Sequence, residues 1–94
     1  MIEVTRIGHG EPLRFDVVVR EADGETRHQV TISRATLEEL AGGVHSPERC
    51  IEAAFRFLLD HEAKESILER FDVDVIARYF PEFAREFPRY LGPG

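Results

Sequence analysis

The sequence predicts an α+β fold: a single domain in which a three-stranded antiparallel meander is followed by four or five α-helices. Three observations carry this prediction. Residues 13–32 alternate apolar and polar on both sides of an Asp23-Gly24 pair. From Ser46 onward, apolar residues recur at three- and four-residue spacing. Ninety-four residues are enough for one hydrophobic core and too few for two. The division expected is a β-rich part over 1–33, a helical part over 34–91 and a tail over 92–94.

The hairpin is the clearest element. Leu13, Phe15, Val17 and Val19 alternate with Arg14, Asp16, Val18 and Arg20, the period-two pattern of a half-buried strand. Asp23-Gly24 marks a tight turn, because glycine accepts positive φ without a steric penalty. Beyond it, His28, Val30 and Ile32 share one side of a second strand. Ile2, Val4 and Ile7 suggest an edge strand that ends at Gly8-His9-Gly10-Glu11-Pro12.

Helices follow. Ser33 can cap a short one carrying Leu37, Leu40 and Ala41, which stops at Gly42-Gly43. Ser46-Pro47 opens the best-specified helix, running to about Glu62: a capping side chain is followed by the one residue that loses nothing at the first helical position. Ile51, Ala54, Phe55 and Leu58 form its apolar stripe, with Arg49, Glu52, Arg56 and Asp60 opposite. Ser66-Ile67-Leu68-Glu69 fits a capping box and predicts a short helix through Phe71. Asp72 caps another with Val75, Ile76, Tyr79 and Phe80 inward, broken by Pro81. A last turn or two, from Glu82 to Phe87, ends before Pro88, and the Leu91–Gly94 tail is expected to fray.

Composition narrows the function classes. The net charge is −6, and eleven of the twelve basic residues are arginine. Residues 1–34, 35–63 and 64–94 carry −1, −4 and −1, so no stretch forms a basic block. Phosphate repels such a chain unless one face is locally positive, which disfavours nucleic acid. The single cysteine, Cys50, permits no internal disulfide and suggests a reducing compartment. The N-terminus lacks the pattern of a signal peptide, and no apolar run approaches the roughly 18 residues of a membrane span, so the cytoplasm is the expected location.

Nothing in the chain has the spacing of a catalytic, metal or cofactor motif. His9, His28, His45 and His61 show no ligand-type spacing, and no Cys-x-x-Cys is present. Cys50 lies in the first turn of a helix, where the macrodipole favours thiolate, yet it points with Ile51 and Ala54 toward the apolar face. Gly8-His9-Gly10 lacks the Lys-Ser/Thr of a phosphate-binding loop. No cofactor or metal is expected.

The aromatic C-terminal third is more informative. Six of the nine aromatic residues lie in the last 24 positions. Phe80, Phe83, Phe87 and Tyr90 crowd a segment broken by two prolines, where not every ring can reach one core. Rings left exposed would form an apolar patch of the kind that marks a partner or dimer contact. Core packing is the competing use of the same rings.

Two resemblances add to this. Residues 27–62 read strand, short helix, glycine-containing turn and Ser-capped helix, an order similar to the ribbon-helix-helix DNA-binding fold. That resemblance implies a strand shared between subunits, with Arg27, Gln29 and Thr31 in the major groove and Ile51, Ala54 and Leu58 in a dimer core. The Asp23-Gly24 hairpin and the acidic Glu38 and Glu39 depart from it. Ser66-Ile67-Leu68-Glu69-Arg70-Phe71-Asp72, with Ile76-Ala77-Arg78-Tyr79-Phe80-Pro81-Glu82-Phe83, resembles the C-terminal half of a family of small uncharacterised bacterial proteins. It implies a stand-alone bacterial protein and transfers no activity.

The leading expectation is a non-enzymatic binding or accessory protein that contacts a protein partner, or its own dimer mate, through Phe80, Phe83, Phe87 and Tyr90. The alternative is a ribbon-helix-helix-like regulator or antitoxin using Arg27, Gln29 and Thr31. An enzyme with an unrecognised site ranks third.

Overall fold

A computed structural model of the chain describes residues 1–92. Strands β1 (Ile2–Ile7), β2 (Leu13–Glu21) and β3 (Gly24–Ile32) form the expected antiparallel meander. Next come α1 (Arg34–Ala41), α2 (Pro47–His61), a 3-10 turn (Lys64–Ser66), β4 (Arg70–Asp72), α3 (Asp74–Tyr79) and α4 (Phe83–Leu91). The sheet order is β1-β2-β3-β4, with β4 parallel to β3. The class is α+β with a mixed four-stranded sheet and four α-helices.

The period-two pattern sets the faces. Leu13, Phe15, Val17, Val19, Val30 and Ile32 are buried beneath the helices, while Arg14, Asp16, Arg27 and Gln29 face outward. The hairpin pairs Glu21 with Gly24, so its two-residue loop is Ala22-Asp23, and Gly24 supplies the positive φ of 137°. Ser33 and Ser46 cap α1 and α2 as expected, each accepting from the backbone N–H three residues on. Gly42, at φ 59°, ends α1 in the left-handed conformation and donates to the Glu38 carbonyl.

Helix α2 is buried along most of its length. Cys50, Ile51, Ala53, Ala54, Phe55, Phe57 and Leu58 are all enclosed, because the sheet lies on one side and α4 on the other. Phe57 is the hub of the outer layer, with ring centroids 5.0 Å from Phe83, 5.7 Å from Tyr90 and 5.8 Å from Phe80.

Three expectations are corrected. The helix predicted over 66–71 is a 3-10 turn followed by β4. The edge of β3 needs partners for its backbone groups, and the segment supplies them: Gln29 N donates to Glu69 O and Val73 N to Thr31 O. Helix α4 does not stop before Pro88 but runs through it to Leu91. A proline inside a helix costs about 3 kcal/mol. Phe83, Phe87 and Leu91 each return about 1.5–3 kcal/mol by burial against the core, which decides the balance. Tyr79, predicted to face inward, points outward at 69% exposure, leaving Ile76 and the following Phe80 to hold α3 down.

Of the tail expected to fray, Leu91 is buried and its carbonyl accepts from Arg49 Nη2 at 2.8 Å; residues 93–94 lie outside the described residues. Among the described residues no helix is long and apolar enough to cross a membrane.

Candidate functional site

An apolar groove opens where the C-terminal end of α2, the 66–68 turn, β4 and α3 meet. Leu58, Ile67, Phe71, Val75, Ile76 and Phe80 line it, around a volume of about 250 Å³. Its rim carries two exposed apolar side chains, Leu68 at 50% and Tyr79 at 69%. Only Glu62 and Ser66 add further polar groups to the lining. Burial among these apolar neighbours raises the Glu62 carboxyl above the usual carboxylate range, opposed by the nearby His61.

Local sequence explains each wall. Glu62 closes α2, its N–H donating to the Leu58 carbonyl, so the carboxylate leaves the helix end at the groove. The rim is tied into the sheet by His28, which is buried and lies 5.3 Å from the Phe55 ring. Its Nδ1 donates to the Leu68 carbonyl at 2.8 Å, and its Nε2 is hydrogen-bonded to the Thr26 hydroxyl at 2.8 Å. Asp72 accepts from the Asp74 N–H and the Thr31 hydroxyl, fixing the step from β4 into α3.

A second tether holds the turn that precedes the groove. Lys64, the chain's single lysine, is buried, and its ammonium donates to Asp23 (2.6 Å), Glu65 (2.9 Å) and Glu21 (3.1 Å). It thereby pins the β2–β3 hairpin tip to the 3-10 turn. These charge-assisted bonds raise the Lys64 pKa and lower those of Asp23 and Glu65.

The residues singled out from sequence separate into distinct places. Phe80 is half-buried and lines the groove. Phe83 and Phe87 are core residues at 3% and 0% exposure, so neither offers a binding surface. Tyr90 is half-buried against Phe57, and its hydroxyl donates to Asp60 at 2.7 Å. Leu68, Tyr79 and Glu62, which give the groove its exposed rim and its carboxylate, were not among those singled out.

Arg27 and Gln29 are exposed on the open sheet face, and Thr31 beside them donates its hydroxyl to Asp72. The ribbon-helix-helix arrangement is not formed. β3 has β2 along one edge, and β4 covers Gln29–Thr31 of the other, so two of the three supposed reader residues lie in a stretch paired on both edges within the domain. Ile51, Ala54 and Leu58 are enclosed within the same domain. The open face also balances its charges: Glu3 and Glu25 pair with Arg20, and Glu25 with Arg27.

Cys50 is enclosed at 1% exposure, and burial pushes its thiol up to about 11, away from thiolate chemistry. Among the described residues no three His, Cys, Asp or Glu side chains converge as metal donors. No protein-family model matches the chain, and neither does any curated protein or solved structure.

Proposed function

We propose that this chain is a non-enzymatic protein-binding module that takes the apolar face of an amphipathic, basic helix into the α2–β4–α3 groove. The observation that carries the reading is the groove itself, an apolar trough with Leu68 and Tyr79 exposed on its rim and Glu62 as the carboxylate in its lining. A volume of about 250 Å³ is below the roughly 300–1,000 Å³ of small-molecule sites and suits one or two anchoring side chains of a peptide. The lining offers no converging set of polar groups of the kind catalysis uses.

Charge selects the partner. Residues 58–80, which build the groove, hold six carboxylates against three cationic side chains. One of those three, Lys64, is already enclosed by its own carboxylates, and another, Arg70, lies on the open sheet face opposite Gln29. A lysine or arginine beside the partner's apolar anchors would meet Glu62 at the groove wall.

The test is fluorescence anisotropy with a labelled synthetic helix bearing leucines at i, i+3 and i+7 and lysines flanking them. Its counterpart carries glutamates in place of the lysines. The lysine peptide is expected to bind. Leu68→Ser and Tyr79→Ser should each weaken it by up to about thirtyfold, the size of an interface hot spot. Equal affinity for the two peptides, or rim variants that bind as tightly as the wild type, would refute the proposal.

A further inference from the structure

The geometry points to a second interaction surface, the free edge of β1, and to a second copy of this chain as its occupant. β1 ends the sheet, with β2 as its sole strand neighbour among the described residues. Met1 N donates to Arg20 O at 2.7 Å and Arg20 N to Met1 O at 2.8 Å, so these two residues form a hydrogen-bonded pair. In the register Ile2↔Val19 through Ile7↔Arg14, such pairs alternate, and Glu3, Thr5 and Ile7 spend their backbone groups on β2. The N–H and C=O groups of Ile2, Val4 and Arg6 therefore point away from the sheet.

Arg6 is the one inward-pointing charge on this edge. The strand holds no proline and no lysine. Its acid, Glu3, is already paired with Arg20 of the same sheet. Arg6, on the covered face, has an Nε that is buried and without an acceptor among the described residues. The opposite edge, β4, is three residues long, so β1 is the longer template for strand addition.

The strand is complementary to itself in one register. Two β1 strands joined antiparallel about a two-fold axis at Val4 set Val4 opposite Val4 and Ile2 opposite Arg6 of the second copy. All the free backbone groups of Ile2, Val4 and Arg6 are then used, in about six hydrogen bonds. Glu3 faces Thr5, which keeps like charges apart. Met1 and Ile7, exposed at 77% and 41%, lie opposite each other at both ends of the ribbon. Sliding the axis to Glu3 sets two glutamates face to face. Sliding it to Thr5 leaves the edge groups of Ile2 unpaired. The Val4 register alone meets every requirement, and it produces a continuous eight-stranded sheet from two sheets of four. β4 and the peptide groove stand at the far edge from β1, so both grooves stay open in the dimer.

Sedimentation velocity on the intact chain tests this first, with a dimer of twice 10.8 kDa expected. Val4→Pro places a ring where the edge N–H pointed and uses no bond within the monomer, so a folded, monomeric protein is expected. Should that variant unfold, Ile7→Lys changes only an exposed side chain and is likewise expected to be monomeric. Register is read by mixing Glu3→Cys protein with Thr5→Cys protein under mild oxidant. Those positions face each other at a Cα separation of about 4.5 Å, within disulfide range. The mixture should give the cross-linked dimer in excess over either variant alone. A wild type that stays monomeric at every concentration, or a dimer that survives Ile7→Lys and forms no mixed disulfide, would overturn the inference.

Discussion

Replacing Phe83 by alanine separates the two uses that the C-terminal aromatic residues could have. Phe83 is 3% exposed, with its ring centroid 5.0 Å from Phe57 and 5.2 Å from Phe87. Phe→Ala at such a site costs about 3–5 kcal/mol, combining the lost burial with the cavity left between α2 and α4. A 94-residue domain has a total stability of about 5–14 kcal/mol, so the substitution removes a large fraction of it. With a urea dependence of roughly 1.5 kcal/mol per molar, the midpoint should fall by about 2–3 M. The assay is urea unfolding followed by far-UV circular dichroism, with Tyr79→Ala as the exposed control, expected to stay within about 0.5 kcal/mol of wild type. A loss below about 1 kcal/mol for Phe83→Ala, at unchanged slope, would refute the docking of α4 on α2.

Four further outcomes follow from the same geometry. Asp23 and Glu65 have pKa values lowered by Lys64, so their contribution to stability is full above about pH 4 and is lost as pH falls through the lowered values; Lys64→Met should flatten this acid limb in pH-dependent unfolding. Lys64 has a raised pKa, so the ammonium's own contribution persists below about pH 10.5 and disappears only in stronger alkali, measurable by unfolding in that range. Cys50 should react with a thiol reagent only at the rate of opening, and unfolding in guanidinium should restore ordinary reactivity; fast reaction of the native protein would contradict its burial. Ser46→Ala removes the acceptor for the Arg49 N–H and should lower stability by about 1 kcal/mol in thermal or urea unfolding.

The hairpin and α2 were legible because their signals are local: alternation about Asp23-Gly24, and a capping serine before proline. β4 was not, because it exists to complete the edge of β3, 41 residues earlier in the chain. A capping-box pattern at Ser66–Glu69 is a local signal, whereas the three-residue strand Arg70–Asp72 is too short to show a periodicity of its own. Pro88 misled for a related reason. Proline rules describe the backbone alone, while Phe83, Phe87 and Leu91 sit on one helical face whose burial outweighs the lost bond.

Of the residues singled out by their aromatic neighbourhood, Phe80 lines the groove, whereas Phe83 and Phe87 are core residues. Crowding of rings in sequence does not say which of them meets α2. Leu68 and Tyr79 carry the exposed apolar surface and could not be separated from core residues by type. Only the strand conformation of 70–72 turns Leu68 out, and only the packing of Ile76 turns Tyr79 away from the core.

The groove is tested most directly by a ¹⁵N chemical-shift titration of the intact protein with the leucine–lysine helix. Shifts confined to Leu58, Glu62, Leu68, Phe71, Ile76 and Tyr79, with β1 and the open sheet face unmoved, are the predicted result. Shifts centred on Arg27 and Gln29, or none at saturating peptide, would contradict the account.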